Sequence, residues 1–205
     1  MGLSAGAIKD GLDHVAACEP LIGAAIERAG YPEPRIRATG YVTLLRTIVG
    51  QQVSVAAAAS VWNKLAALLG DDIPPEALLA ADFDALRACG FSRQKQGYAR
   101  SLCELVVSGE LKLDALPADD EEAIAELTRI KGIGRWSAEI YLLFAEGRPD
   151  IWPAGDLAVQ AGLAKLLGLD TRPDEKATRA RAESWRPHRG AAAICTWHCY
   201  NNPAL

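Results

Sequence analysis

The run 127–138 holds the residues whose spacing best suits binding of an anion. It reads as the end of an apolar helix, a turn with glycines at positions 132 and 134, and the start of a second helix. Gly132 and Gly134 let the backbone turn tightly, and the N–H groups at the start of the second helix form an anion site. Lys131 and Arg135 flank the turn with positive charge. The turn taken alone is more typical of a plain helix connection that ends at a glycine.

The second residue suited to chemistry is Asp156, which follows the apolar, proline-bearing stretch 151–155 and begins another helix. A carboxylate at such a position can stabilise positive charge in a substrate and can orient or deprotonate water. An aspartate after a Pro-Ala-Gly turn is most commonly a helix N-cap, which accepts hydrogen bonds from the first N–H groups of the helix. The two roles do not exclude each other.

The elements that carry these residues are predicted to be helices. Apolar residues recur at helical spacing along the chain, and alternating strand patterns are hard to find, so we predict an all-α fold. Ser54 and Ser92 are predicted N-caps of two helices. The acid-rich segment 119–122 suits the start of the helix that leads into the glycine turn.

The composition of the 205 residues is that of an ordinary globular protein, with 50% hydrophobic and 23% charged residues. It excludes intrinsic disorder, and no apolar run is long enough to span a membrane. Five cysteines without paired spacing favour a reducing compartment. The net charge of −4 argues mildly against broad phosphate neutralisation, although the basic residues between 172 and 189 allow a local basic face.

Three separated motifs follow one another along the chain. They are the segment 44–54 (LLRTIVGQQVS), the hairpin 127–138 (LTRIKGIGRWSA) and the stretch 151–160 (IWPAGDLAVQ). Their order resembles the HhH-GPD superfamily of DNA glycosylases, and within it the alkylbase family of AlkA-like, 3-methyladenine DNA glycosylase II proteins. With the segments 90–95 and 185–197, the resemblance covers most of the chain. The hairpin of that superfamily binds the DNA backbone without reading its sequence.

The resemblance implies a DNA glycosylase fold, in which two helical subdomains flank a DNA-binding cleft. The terminal subdomain is predicted to combine residues 1–39 and 151–205, and the middle subdomain with the hairpin to span 40–150. Larger alkylbase enzymes carry a further N-terminal β-rich domain, and we expect the compact form without it. We expect a monomer that acts on double-stranded DNA and is cytoplasmic, associated with the nucleoid in a bacterium or nuclear in a eukaryote.

The resemblance also identifies Asp156 as the catalytic carboxylate of a monofunctional glycosylase. Its substrates would be alkylated bases such as 3-methyladenine and 7-methylguanine, which already carry positive charge and leave readily to give an abasic site. Bifunctional relatives attack the sugar with a lysine at the position of Trp136, and an indole forms no Schiff base. Lys131 and Lys165 are the less favoured amines.

An extruded base is usually held against aromatic faces. Trp136 and Trp197 match aromatic pocket positions of the similar enzymes, where cation–π attraction would favour an electron-poor base. Further candidates for the base pocket are Tyr41, Tyr141 and Trp152. Burial in the core is expected for Trp62 and Trp185.

Gln52 stands where relatives place the wedge that fills the space left by the extruded nucleotide. The predicted DNA-binding residues are Gln52, Lys131, Gly132, Ile133, Gly134 and Arg135. We predict no cofactor and no metal, because Cys195, His198 and Cys199 are too few for an iron–sulfur cluster or a four-coordinate zinc. The resemblance alone allows a monovalent cation on the hairpin carbonyls.

Three other interpretations stay open on the sequence. The first is a glycosylase for another lesion, such as uracil, a mismatched base or oxidised guanine, because pocket walls rather than shared motifs determine which base is accepted. A noncatalytic DNA-binding module would also keep the hairpin. A helical scaffold for protein interactions suits the negative charge but leaves the three ordered motifs unexplained.

Overall fold

The computed structural model describes residues 2–202, and this part of the chain contains α-helices and no β-strand. The predicted all-α fold is confirmed. None of the described helices is long and apolar enough to cross a membrane. The α-helices are α1 (Ala5–Cys18), α2 (Pro20–Ala29), α3 (Tyr41–Gly50), α4 (Val55–Leu69), α5 (Pro75–Ala80), α6 (Phe83–Ala88), α7 (Arg93–Val107), α8 (Asp120–Thr128), α9 (Arg135–Tyr141), α10 (Leu157–Leu167), α11 (Glu175–Arg181) and α12 (Arg189–Asn201).

The chain forms two compact units. The terminal unit comprises Met1–Ala38 and Leu142–Leu205, and the middle unit comprises Thr39–Tyr141. The second boundary therefore lies after Tyr141, earlier than the predicted residue 150. The reason is the π-helical turn Leu142–Glu146, whose Phe144 carbonyl accepts a hydrogen bond from the Arg37 N–H at 2.8 Å within the terminal unit.

Helix α12 is the centre of the terminal unit. Every residue of the stretch 189–197 is buried, and the helix packs against α1 and α10. A Cβ atom at Gly162 of α10 would lie 2.1 Å from the carbonyl oxygen of Thr196 in α12. Only glycine therefore permits the backbones of α10 and α12 to come this close.

Helix α7 organises the middle unit, where it packs against α3 and α5, while α3 also packs against α4 and α9. The predicted caps are confirmed: the Ser54 hydroxyl accepts from the third N–H of α4, and the Ser92 hydroxyl accepts from the third N–H of α7. Trp62 is buried as expected, with the guanidinium of Arg46 lying 3.7 Å from the centre of its ring.

Three arginines of the basic segment 172–189 pair with carboxylates of the terminal unit. Arg189 and Arg186 both bind Asp150 and Glu183, and Arg179 pairs with Glu175 one helical turn away. The sequence allowed a basic face here. These three arginines instead pair with neighbouring acids and form an ion-pair network within the unit.

Candidate functional site

Asp156 is the N-cap of α10, as the sequence predicts. Its Oδ1 accepts hydrogen bonds from the backbone N–H groups of Ala158 at 2.8 Å and Val159 at 3.0 Å. The turn that delivers it is itself fixed, because the Asp156 N–H donates to the Pro153 carbonyl at 2.9 Å and the Gln160 amide donates to the Ala154 carbonyl at 2.8 Å. The carboxyl group is thus held in one orientation and half-buried.

Trp197 of α12 supplies a third donor to the same oxygen. Its indole N–H lies 3.3 Å from Asp156 Oδ1. The side chain is only 7% exposed, and its ring packs against Phe144 with the ring centres 5.5 Å apart. Trp197 was predicted only as a base-pocket residue. The structure shows that it also contacts the Asp156 carboxylate.

Trp152 lies in the core of the terminal unit. Its indole N–H donates to the Thr178 carbonyl at 3.0 Å, and its ring meets Trp185 edge-on, with the ring centres 5.6 Å apart. The expected burial of Trp185 is confirmed. The suggestion that Trp152 lines a base pocket is corrected, because the ring is 2% exposed and its polar atom is already satisfied.

In the middle unit, the hairpin turn joins the end of α8 to the start of α9. The Asp119 carboxylate caps α8, as the acid-rich segment predicts. The turn is seated on α7: the Lys131 N–H donates to the Ser101 hydroxyl at 3.2 Å, and a Cβ atom at Gly132 would lie 2.2 Å from the ring of Tyr98. Gly132 also adopts a φ of 82°, which favours glycine.

The exposed backbone of the hairpin suits an anion. Among residues 2–202, no group accepts a hydrogen bond from the N–H of Gly132 or Gly134, and both residues are exposed. Ile133 between them is buried, and its N–H donates to the Ile130 carbonyl at 3.0 Å. The buried isoleucine anchors the turn while the glycine amides face solvent next to the exposed Lys131.

Arg135, the other predicted phosphate contact, is held by carboxylates. Its guanidinium donates to both oxygens of Glu121, at 2.7 and 2.5 Å, and to the buried Glu139 at 2.9 Å. The hydrogen bonds that Arg135 donates to Glu121 are the main cause that raises the pKa of Arg135. The charge that flanks the turn is therefore largely compensated within the middle unit.

The loop 51–54 connects α3 to α4 and carries Gln52, the predicted wedge. Gln52 is exposed and adopts a φ of 56°, in the left-handed region that non-glycine residues rarely enter. Val55, at the first turn of α4, is 88% exposed. The loop thus presents a polar tip beside an unburied apolar side chain.

The aromatic candidates of the middle unit differ in exposure. Trp136 is 48% exposed at the start of α9. Tyr141 is 3% exposed, and its hydroxyl accepts the Gly40 N–H at 2.7 Å, so it is part of the packing. The half-buried Tyr41 hydroxyl lies 3.3 Å from the Cys103 sulfur, and burial raises the pKa of Tyr41.

Lys165, Cys195 and Cys199 of the terminal unit have structural contacts. Lys165 donates to the carbonyls of Cys199 at 3.1 Å and Asn202 at 2.7 Å, at the end of α12. The Cys195 and Cys199 sulfurs lie 3.9 Å apart and are buried. In the described part of the chain, no three His, Cys, Asp or Glu side chains come together as metal ligands.

Sequence reasoning missed Gln51, whose side-chain amide donates to the Gly132 carbonyl at 2.8 Å. It also missed Tyr98 and Ser101, which seat the hairpin. The sequence signal for Gln51 was its place beside Gln52 at a polar corner between two apolar helices. Tyr98 carried no such signal, because it falls in the apolar stripe of α7.

Comparison with known proteins finds similarity to base excision DNA repair proteins. The model of the HhH-GPD superfamily base excision DNA repair protein family matches residues 45–187. The DNA-3-methyladenine glycosylase 1 of Schizosaccharomyces pombe is 36% identical over 161 residues, which cover 77% of this chain and 71% of that protein.

Two solved structures share the fold along nearly the whole chain. A Schizosaccharomyces pombe 3-methyladenine DNA glycosylase in complex with abasic DNA superposes with a TM-score of 0.81 and 30% identity, covering 96% of this chain and 98% of that one. A DNA-3-methyladenine glycosidase from Bacillus halodurans superposes with a TM-score of 0.87 and 30% identity, covering 94% and 89% of the two chains.

Proposed function

The chain belongs to the HhH-GPD superfamily of base excision DNA repair proteins, and we infer from this that it is a DNA glycosylase acting on alkylated bases. It hydrolyses the N-glycosidic bond of bases of the 3-methyladenine and 7-methylguanine type and starts their repair. The Schizosaccharomyces pombe relative is a 3-methyladenine glycosylase, and its structure holds abasic DNA, which is the product of such a reaction.

The observation that carries this proposal is the fixed carboxylate at the N-terminus of α10. In the reaction, the bond between the sugar C1′ and the base nitrogen breaks, and its electron pair leaves with the base. The sugar becomes an oxocarbenium-like cation, which the negative charge of Asp156 stabilises. Water then adds to C1′ and gives up a proton, for which Asp156 is the proposed acceptor, and an abasic site remains.

The three N–H groups on Oδ1 of Asp156 contribute by pre-organising that charge. They come from the backbone of α10 and from Trp197, so the carboxylate does not have to reorient as the cation forms. Fixed dipoles of this kind are more effective than mobile water because no reorganisation is needed during the reaction.

The middle unit supplies candidate contacts to DNA. The N–H groups of Gly132 and Gly134, together with Lys131, suit one backbone phosphate. The exposed ring of Trp136 suits stacking against an electron-poor alkylated base. Gln52 is the proposed wedge in the base stack.

We propose that the enzyme is monofunctional. Trp136 lies where bifunctional relatives carry the attacking lysine, and an indole cannot form a Schiff base. Lys165 donates hydrogen bonds to two backbone carbonyls at the end of α12, which hold its amine in a structural contact. The Ile130 and Gly132 carbonyls of the hairpin each accept a hydrogen bond, and the proposed reaction needs no cation there.

The test is release of free bases from methylated duplex DNA by wild-type protein and by Asp156→Asn, with strand nicking measured separately. Asparagine can still accept the backbone N–H groups of α10, so the variant removes the charge and keeps the cap. We expect 3-methyladenine or 7-methylguanine to be released by wild type alone, without nicking and without a borohydride-trapped adduct.

Two results would contradict the proposal. If wild-type protein binds duplex DNA but releases no methylated base, the substrate is another lesion or the chain is a noncatalytic DNA-binding module. If Asp156→Asn releases bases at the wild-type rate, the carboxylate is only a helix cap.

A further inference from the structure

We propose that Gln51 is a positioning residue, which fixes the Gln52 wedge relative to the phosphate-binding hairpin through its hydrogen bond to the Gly132 carbonyl. This inference rests on the proposed function, because it assigns Gln52 and the hairpin to DNA binding. All the groups involved lie in the middle unit.

The first step is the contact itself. The Gln51 side-chain N–H donates to the Gly132 oxygen at 2.8 Å, across 81 residues of sequence. At the same time, the Gln51 backbone N–H donates to the Ile48 carbonyl and ends α3. One residue thus joins the end of α3 to the hairpin turn.

The acceptor of this hydrogen bond is immobile. Gly132 lies against the ring of Tyr98, so closely that a Cβ atom there would be 2.2 Å from a ring carbon. The preceding N–H group, of Lys131, is bound to the Ser101 hydroxyl of α7. Because two contacts hold the turn on α7, the Gly132 carbonyl is well placed to fix the side chain of Gln51.

The donor side is also restrained. Lys95 of α7 donates from Nζ to the Val49 carbonyl at 2.7 Å, which ties the last turn of α3 to the same helix. Beyond the loop, the Ser54 hydroxyl caps α4. The loop is therefore held at both ends, and Gln51 is its contact with the hairpin.

Gln52 needs this restraint because its backbone is strained. A glutamine at a φ of 56° persists only when its surroundings over-determine the conformation. The side chain of Gln52 is exposed, so the restraint on its backbone comes mainly from its neighbours in the loop. Gln51 is the adjacent residue, and its side chain is the one bound to the hairpin.

The consequence concerns DNA. If the hairpin holds a phosphate and Gln52 enters the stack, the distance between the two contacts has to match the DNA. A rotation at Gln51 would displace the wedge while leaving the phosphate contact intact. Loss of Gln51 should therefore impair insertion and base extrusion more than it impairs binding to undamaged duplex.

The experiment uses a duplex with a tetrahydrofuran abasic analogue opposite 2-aminopurine, whose fluorescence reports what enters the stack. Gln51→Leu removes the donor at nearly constant volume, and Gln51→Lys keeps a donor. Asn63→Ala is the matched control, because it deletes another exposed side-chain amide of the middle unit, one that α4 carries nine residues beyond Ser54. Thermal unfolding checks that each variant is folded.

We expect Gln51→Leu to lose the fluorescence response. Its single-turnover excision rate should fall about tenfold, which is the effect expected from the loss of one hydrogen bond. Gln51→Lys should recover part of both, and Asn63→Ala should match wild type. The decisive comparison is the double variant Gln51→Leu/Gln52→Ala, which should behave like Gln52→Ala alone, because Gln51 acts through Gln52.

The proposal is overturned if the folded Gln51→Leu protein keeps the wild-type fluorescence response. It is also overturned if, in the double variant, the loss of excision rate caused by Gln51→Leu adds in full to the loss caused by Gln52→Ala. Wild-type protein that binds the duplex without any response would overturn the wedge assignment and this inference with it. Because the fluorescence needs no excision, a protein that fails to release methylated bases is still tested for the role of Gln51.

Discussion

The indole N–H of Trp197 donates to the same oxygen of Asp156 that caps α10, at a distance of 3.3 Å. The two residues lie 41 positions apart, on α12 and at the start of α10. A tryptophan expected to face the base thus also contacts the carboxylate.

Trp197→Phe keeps a ring against Phe144 but removes the donor to Asp156. A hydrogen bond to a charged group is worth about 1.5–3 kcal/mol, so we expect the single-turnover excision rate to fall at least about tenfold. DNA affinity should change little. Trp185→Phe is the control: it trims another buried indole of the terminal unit, has no contact with Asp156, and should lower stability without lowering the rate.

Asp156→Ala and Asp156→Asn separate capping from catalysis. Both should abolish excision, since each removes the negative charge. Only the alanine variant also loses the cap of α10, which should lower the free energy of unfolding by about 0.5–2 kcal/mol. Urea titration of both variants checks this, and equal stabilities would show that the two backbone hydrogen bonds to Asp156 are energetically unimportant.

The two hairpin glycines should respond differently to alanine. At Gly132 a Cβ atom would meet Tyr98 and the φ of 82° is unfavourable, so Gly132→Ala should destabilise the protein by about 1–3 kcal/mol. At Gly134 a Cβ atom meets nothing within 4 Å. Gly134→Ala should fold normally and weaken DNA binding, because its methyl group would stand at the proposed phosphate site. Wild-type affinity in Gly134→Ala would remove the hairpin from the DNA contact.

Glu121→Gln should strengthen DNA binding by removing one of the two carboxylates that compensate the charge of Arg135. The pair is exposed and contributes only about 0–1 kcal/mol to stability, so the fold should be unaffected. One additional phosphate contact would steepen the slope of log K against log salt by about 0.9. Glu175→Gln, which removes an equal charge from the exposed pair with Arg179, is the comparison. Equal gains in both variants would mean that only the total charge matters.

The parts that the sequence predicted are those governed by local interactions. Ser54, Ser92 and Asp156 accept hydrogen bonds from N–H groups two or three residues away, so residue type and position suffice to identify them as caps. The helical periodicity and the hairpin glycines are local in the same sense. The exposed Trp136 and Gln52 were found through the family motifs and not through physics alone.

The parts that sequence missed depend on distant partners. Gln51 and Gly132 meet across 81 residues, and nothing in either neighbourhood indicates the other. The same holds for Arg135, whose charge suggested phosphate until the structure paired it with Glu121 and Glu139. Charges can be counted from sequence, but their compensation depends on which helices become neighbours.

Because α10 and α12 approach each other so closely, the geometry of the proposed catalytic site depends on Gly162, a residue without a side chain. Asp156 begins the first helix and Trp197 belongs to the second, and Gly162 leaves no room for a methyl group against Thr196. A chain that retains each polar group of the site can still lose its alignment through a single added carbon. The excision rate of Gly162→Ala would measure how narrow that tolerance is, at a residue that a search for reactive side chains would pass over.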